Sequence, residues 1–173
     1  MYVLAATGAL TVDLGVGRRR RPLGPLRRDV AAPPEIVFDV IAGPYLGKTP
    51  RAMGAELRVV ERGTDMVLAE HFTPIGLGLT ATTLEIVRFE RPHRVTFHLA
   101  RGPVPYVTET FELAAVDGGT EFTYRGEIGA DLWAFGAWWA GAVGARWEQA
   151  VATSIAGIAG EAERRAARRA APV

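Results

Sequence analysis

Two periodicities divide the chain. Apolar and polar positions alternate in short runs between Leu57 and Ile128, whereas residues 34–41 and the long stretch from Asp131 to Pro172 repeat apolar residues at three- and four-residue steps. Alternation marks a strand with one buried face, and the wider spacing marks an amphipathic helix. The alternating runs 57–62, 66–73, 79–90, 94–100, 104–115 and 121–128 are rich in Val, Ile, Thr, Phe and Tyr. Breaks bearing Gly or Pro at 63–65, 74–78, 91–93, 101–103 and 117–119 separate them. Connections this short join neighbours in an antiparallel meander. Residues 26–31 read as a further strand, and 45–54 as a second, short helical connection. The predicted order is strand, helix, helix, six strands, long helix, an α+β chain of about seven strands.

Each helix carries its own signals. Pro34 suits a first helical position, where a missing N–H costs nothing, Glu35 favours the positive end of the helix, and Ile36, Val37, Val40 and Ile41 form one apolar stripe before Gly43 and Pro44. In the long helix Leu132, Phe135, Trp139, Val143, Trp147, Val151, Ile155 and Ile158 trace the face expected to lie on the sheet. Asp131 is the expected N-cap, and Arg164, Arg165, Arg168 and Arg169 sit at the negative end of the helix dipole.

Before Leu26 the pattern is different. The segment 1–17 is almost wholly apolar or small, and Arg18, Arg19, Arg20 and Arg21 follow at once. A spanning helix needs about 20 apolar residues, and this run is shorter and interrupted by Asp13 and three glycines. It also lacks the basic start of a secretory signal. The expectation is an N-terminal extension over 1–25, either a loose tail or a segment lying on a membrane surface through 1–21, ahead of a domain at 26–170. The protein is expected to be cytoplasmic, with membrane association left open.

Composition narrows the classes. Of 173 residues, 49% are hydrophobic and 23% charged, enough to build a core. Twenty basic and 19 acidic residues give a net charge of +1, so nucleic acid is not an expected partner. The absence of cysteine removes disulfides and thiolate chemistry.

Three segments carry a resemblance. RRDVAAPPEIVFDVIAGP from Arg27 to Pro44, VRFERPHRVTFHLARGP from Val87 to Pro103 and DGGTEFTYRGEIG from Asp117 to Gly129 resemble the START-related SRPBCC superfamily, whose bacterial members are often described as polyketide cyclase/dehydrase-like. The resemblance covers roughly 26–163. It implies a helix-grip fold, a curved antiparallel sheet wrapped around a long C-terminal helix, with a ligand cavity between them. It implies fold far more strongly than activity.

Few residues stand out chemically. Val107, Glu109, Phe111 and Leu113 share a strand face, and three of the four are apolar. Glu109 then faces inward, where a carboxylate is hydrogen-bonded, paired, or raised in pKa until neutral. It reads as a polar anchor or general acid/base, or alternatively as a structural ion pair or a bulge residue turned to solvent. Tyr124 shares its side with Phe122 and Ile128, which offers its hydroxyl to a ligand, to Glu109 or to the backbone. His71 alternates with Val67 and Ala69, although Met66, Leu68 and Phe72 support the opposite phase nearly as well. His98 and His93 read as solvent-facing. No histidine pair has a metal-ligand spacing, so neither metal nor cofactor is expected. Ser154, the sole serine, has no histidine near it in sequence. All four tryptophans fall in the last helix, with Trp139 and Trp147 on its apolar stripe and Trp133 and Trp138 off it.

The expected function is binding of a small hydrophobic ligand, a lipid, polyketide or isoprenoid, lined by Phe97, Val107, Glu109, Phe111, Tyr124, Trp139, Val143 and Trp147. The alternative is a cofactor-independent enzyme of the polyketide cyclase/aromatase type using Glu109 with His71 or Tyr124. A third is a membrane-associated accessory domain held by residues 1–21.

Overall fold

A computed structural model describes residues 2–47 and 56–170. After a short helix α1 (Tyr2–Ala6) come β1 (Arg19–Val30) and α2 (Pro34–Ala42). The meander follows as β2 (Leu57–Arg62), β3 (Met66–Gly76), β4 (Leu79–Glu90), β5 (Arg94–Arg101), β6 (Tyr106–Val116) and β7 (Gly119–Ala130), and α3 (Trp133–Ala170) closes the chain. The strands form one antiparallel sheet in the order β1-β7-β6-β5-β4-β3-β2. Helix α3 packs against β1, β7 and α2. This is the expected helix-grip arrangement. Of the predicted helical connection at 45–54, residues 45–47 form turns and 48–54 lie outside the described residues.

The first strand starts at Arg19 rather than at residue 26, so Arg19, Arg20 and Arg21 of the arginine run are part of the sheet. Strand alternation sorts it. Arg21 points toward α3 and donates to Glu148 at 3.0 Å, while Arg20 turns to the other face and lies 4.1 Å over the Tyr106 ring. The break read at Pro22, Gly24 and Pro25 is absorbed as a bulge, with the β7 register shifting between Leu23 and Leu26 and Gly24 in the left-handed region at φ +76. An edge strand tolerates this because prolines there interrupt no second ladder.

The start of α3 also departs from expectation. Asp131 is not its N-cap: the carboxylate accepts from the backbone N–H of Leu14 (2.6 Å) and Gly15 (2.8 Å) and from Arg18 Nε (2.7 Å). Leu132 and Trp133 then take positive φ angles of 72 and 47, which rotates the first turn off the predicted stripe. Phe135 is 64% exposed as a result, and Leu132 lies outside the helix. The buried seam is instead made largely of small residues, Gly136, Ala140, Gly144, Ala159 and Ala162, with Ile155. Trp139, Val143, Trp147, Val151 and Ile158 pack beside it, half-buried. Small residues let α3 approach closely; a Cβ on Gly144 would lie 2.7 Å from the Arg21 guanidinium.

Aromatic rings fill much of the concave side. Phe38, Phe89, Tyr45, Phe97, Phe111 and Phe122 or Tyr124 succeed one another at centroid distances of 5.1–6.4 Å, most of them edge to face. Such pairs add about 0.5–1.5 kcal/mol each beyond simple burial. Phe122 and Tyr124 are completely buried.

Candidate functional site

Glu109 lies where strand alternation places it, buried between Val107 and Phe111. Its Oε1 accepts two hydrogen bonds, from the Tyr124 hydroxyl at 2.8 Å and from the Trp147 indole N–H at 2.7 Å. One oxygen thus joins β6, β7 and α3. Gly126, directly opposite on β7, leaves the space for it, since a Cβ there would meet Thr108 O at 2.9 Å, the Tyr124 hydroxyl at 3.1 Å and Glu109 Cγ at 3.3 Å. Burial, and then repulsion from Glu85, push the Glu109 carboxyl up to about 7, against the opposing pull of its two donors and His71. Near neutral pH it is therefore divided between its acid and its carboxylate. Burial beside Glu109 also raises Tyr124, which stays a phenol and a donor.

His71 adopts the inward phase with Val67 and Ala69. Its Nε2 lies 2.8 Å from the Tyr45 hydroxyl, and its Nδ1 lies 3.2 Å from Glu85 Oε2, near enough for an ion pair but out of line for a good hydrogen bond. Thr83 donates to the other Glu85 oxygen at 2.6 Å. Burial is the largest single effect and disfavours the imidazolium, but the proximity of Glu85 and the charge of Glu109 together outweigh it, and His71 is raised overall. Burial likewise opposes the Glu85 carboxylate, yet His71 and Thr83 hold it below its ordinary value. The two clusters sense each other, since both Glu85 and His71 shift Glu109.

Tyr45, Thr83 and Glu85 escaped the sequence reading. In β4 the inward set is Ala81, Thr83, Glu85 and Val87. The opposite set contains Leu84 and Ile86, so hydropathy favours neither phase. The usable signal was register: Val87 pairs with Val67 and Phe97, both on inward phases. His98 and His93 are exposed, as expected. Among the described residues no three His, Asp or Glu side chains converge as a metal site.

An apolar cavity of about 210 Å³ opens at the N-terminal end of α3. Its walls are Ala5, Leu10 and Val12 of the N-terminal segment, Pro103 and Pro105 of the β5–β6 connection, and Leu132, Phe135, Trp138 and Trp139. The N-terminal segment is pinned over this end. Thr7 O accepts from Thr82 N (2.8 Å), Thr11 donates to Gly102 O (2.6 Å), and Val16 O and Gly17 O accept from Leu132 N and Trp133 N (2.9 and 3.0 Å). The Asp131–Arg18 pair completes the attachment, and Arg18 together with the Leu14 and Gly15 amides brings the Asp131 carboxyl down to about 2. Trp139, whose indole donates to Pro103 O at 2.8 Å, belongs to the cavity wall. Phe97, Val107, Glu109, Phe111, Tyr124, Val143 and Trp147 do not line it. They sit further along the concave side, around the Glu109 cluster.

A long C-terminal helix gripped by a curved antiparallel sheet defines a helix-grip protein. Residues 26–163 match the family described as polyketide cyclase / dehydrase and lipid transport, and the chain belongs to that family. Among solved structures it is similar to the Zhui aromatase/cyclase from Streptomyces sp. R1128, with 15% identity, coverage of 86% of this chain and 95% of that one, and a TM-score of 0.66. It is similar to Ara h 8.0201 at 16% identity, covering 88% and 99% of the two chains with a TM-score of 0.58. Norcoclaurine synthase from Thalictrum flavum is similar at 16% identity over 66% and 72%, with a TM-score of 0.52. At such identities the likeness is one of fold. Comparison with curated proteins gives no match.

Proposed function

We propose that this protein binds a small, mostly apolar molecule of the lipid, polyketide or isoprenoid class at the end of the helix grip. The observation that carries this reading is the apolar cavity of about 210 Å³ between the N-terminal segment, the β5–β6 connection and the first turns of α3. Asp131, its one charged wall residue, is already committed to Arg18 and two amides. Shape and burial, rather than ionic pairing, therefore supply the affinity. The volume lies below the roughly 300–1,000 Å³ usual for drug-sized ligands, which suits a compact molecule or one end of a longer chain. Saturable emission from N-phenylnaphthylamine, an uncharged apolar fluorophore, tests it. Leu10→Trp fills the cavity and is expected to weaken binding about tenfold or more, a loss of at least about 1.4 kcal/mol. Wild-type affinity in a folded Leu10→Trp protein would move the site elsewhere. Native mass spectrometry of protein purified from its own host then identifies the cargo.

A second reading, a cofactor-independent cyclase-type enzyme, is favoured by the buried acid Glu109 beside Tyr124 and within electrostatic reach of His71. A carboxyl poised near neutrality suits general acid/base work. Unchanged turnover of a polyketide-like substrate by Glu109→Gln protein would remove it.

A further inference from the structure

The end of the molecule that holds the cavity is also its most exposed apolar surface. Trp133 is 53%, Phe135 64% and Trp138 61% exposed, and Phe135 and Trp138 stack on each other with centroids 5.8 Å apart. The N-terminal segment adds the exposed side chains of Leu10, Val12, Leu14 and Val16, fixed beside these rings by the Val16–Leu132 and Gly17–Trp133 backbone bonds. Arg146 donates to Ile75 O at 3.3 Å and so ties the β3–β4 turn to the same helix, with Leu77 at its tip 99% exposed. Three separate elements thus present large apolar side chains to solvent at one end. Isolated exposed apolar residues are ordinary, but several large ones gathered at one end of a fold mark an interaction surface.

Charge decides what docks. The acids of this surface, Asp13 and Asp131, are both held by Arg18. Between Leu132 and Arg146 the helix carries no acidic residue. Arg146 keeps its charge on a neutral carbonyl, and Arg19 has no ion pair among the described residues. Exposed tryptophan rings on elements that also carry Arg19 and Arg146 suit the boundary between acyl chains and anionic headgroups. Among the described residues no helix is long and apolar enough to cross a membrane, so the contact is one of lying on the surface.

We infer that the face formed by the N-terminal segment, the first turns of α3 and the β3–β4 turn docks onto an anionic phospholipid bilayer, with Trp133, Phe135 and Trp138 entering the interface. The inference extends the ligand-binding reading without depending on it, because docking is measured on empty vesicles without any apolar cargo. Full-length protein is sedimented with vesicles of phosphatidylcholine alone and of phosphatidylcholine with phosphatidylserine. Stronger partitioning onto the anionic vesicles is expected, with tryptophan emission quenched by brominated acyl chains. Leu14→Ser/Trp133→Ser, which touches neither cavity wall, is expected to partition at least about tenfold more weakly. Val116→Ser, at the β6–β7 turn on the opposite end of the sheet, is expected to partition as wild type. Absence of partitioning, partitioning indifferent to Leu14 and Trp133, or unquenched emission each overturns the inference. A stable dimer that Leu14→Ser/Trp133→Ser dissociates, with no vesicle binding, would assign the face to a second copy of the chain instead. N-phenylnaphthylamine binding in solution reports separately on the cavity.

Discussion

Replacing Glu109 by Gln isolates the energetic cost of a buried acid. The amide keeps a carbonyl oxygen able to accept from Tyr124 and Trp147 and occupies nearly the same volume, but it does not ionise. The wild-type carboxyl rises from its ordinary 4.5 to about 7 in the folded protein. A raised acid stabilises the fold fully while it is protonated in both states, and that contribution is lost as pH climbs through the folded value. At about 1.36 kcal/mol per unit, the loss between roughly pH 4.5 and pH 8 is about 3 kcal/mol. For a chain of this size that is about 6–12 °C in Tm. Urea unfolding of both proteins across this range gives the difference directly. The Gln variant is expected to gain about 3 kcal/mol relative to wild type as pH rises, most of it before pH 7. Groups remote from position 109 cancel in the comparison, whereas His71 and Glu85, which sense the Glu109 charge, enter the difference with it. Parallel stability profiles would refute the reasoning, and would mean that Glu109 ionises without penalty and is open to water.

Two further perturbations probe the supports of the site. Gly126→Ala places a methyl 2.9 Å from Thr108 O and 3.1 Å from the Tyr124 hydroxyl, so it is expected to cost about 1–3 kcal/mol in denaturant unfolding; a stability equal to wild type would show that the strand gives way freely. Asp131→Ala removes the acceptor for Leu14 N, Gly15 N and Arg18, so limited trypsinolysis is expected to cut faster within the arginine run, and an unchanged rate would place the anchorage elsewhere. Because Asp131 is depressed to about 2, its contribution in the wild type is present above about pH 4 and fades on acidification below it; with Arg18 partly open to water, it amounts to about 1 kcal/mol.

The sheet was legible because alternation and turn residues agree. The limits of β2 and β4 coincide with those read from sequence, and the inward phase of Val107, Glu109, Phe111 and Leu113 follows from counting by twos. Tyr124 was readable in the same way, though its bond to Glu109 was one of three options. Periodicity fails where both phases of a strand are apolar, as in β4, and that concealed Glu85 and with it the partner of His71. It fails again where a distant residue sets local geometry. Asp131 looks like an N-cap from its neighbours, but Leu14, Gly15 and Arg18 claim its carboxylate from over a hundred positions away. The docking of the N-terminal segment, and hence the cavity roofed by Leu10 and Val12, followed from that pairing and left no local trace. The arginine run misled because charge suggested a tail, whereas alternate side chains of a strand serve two different faces.

That strand carries a practical consequence. The family match begins at residue 26, but β1 pairs with β7 from Arg19 onward, opposite residues 126–130. A chain trimmed to the family limit would strip the outer strand from half of β7 and bare a row of unpaired amides and carbonyls. Such an edge recruits other chains. Aggregation of the shortened protein would then be a wound in the sheet, and it would reveal nothing about whether the removed segment touches lipid.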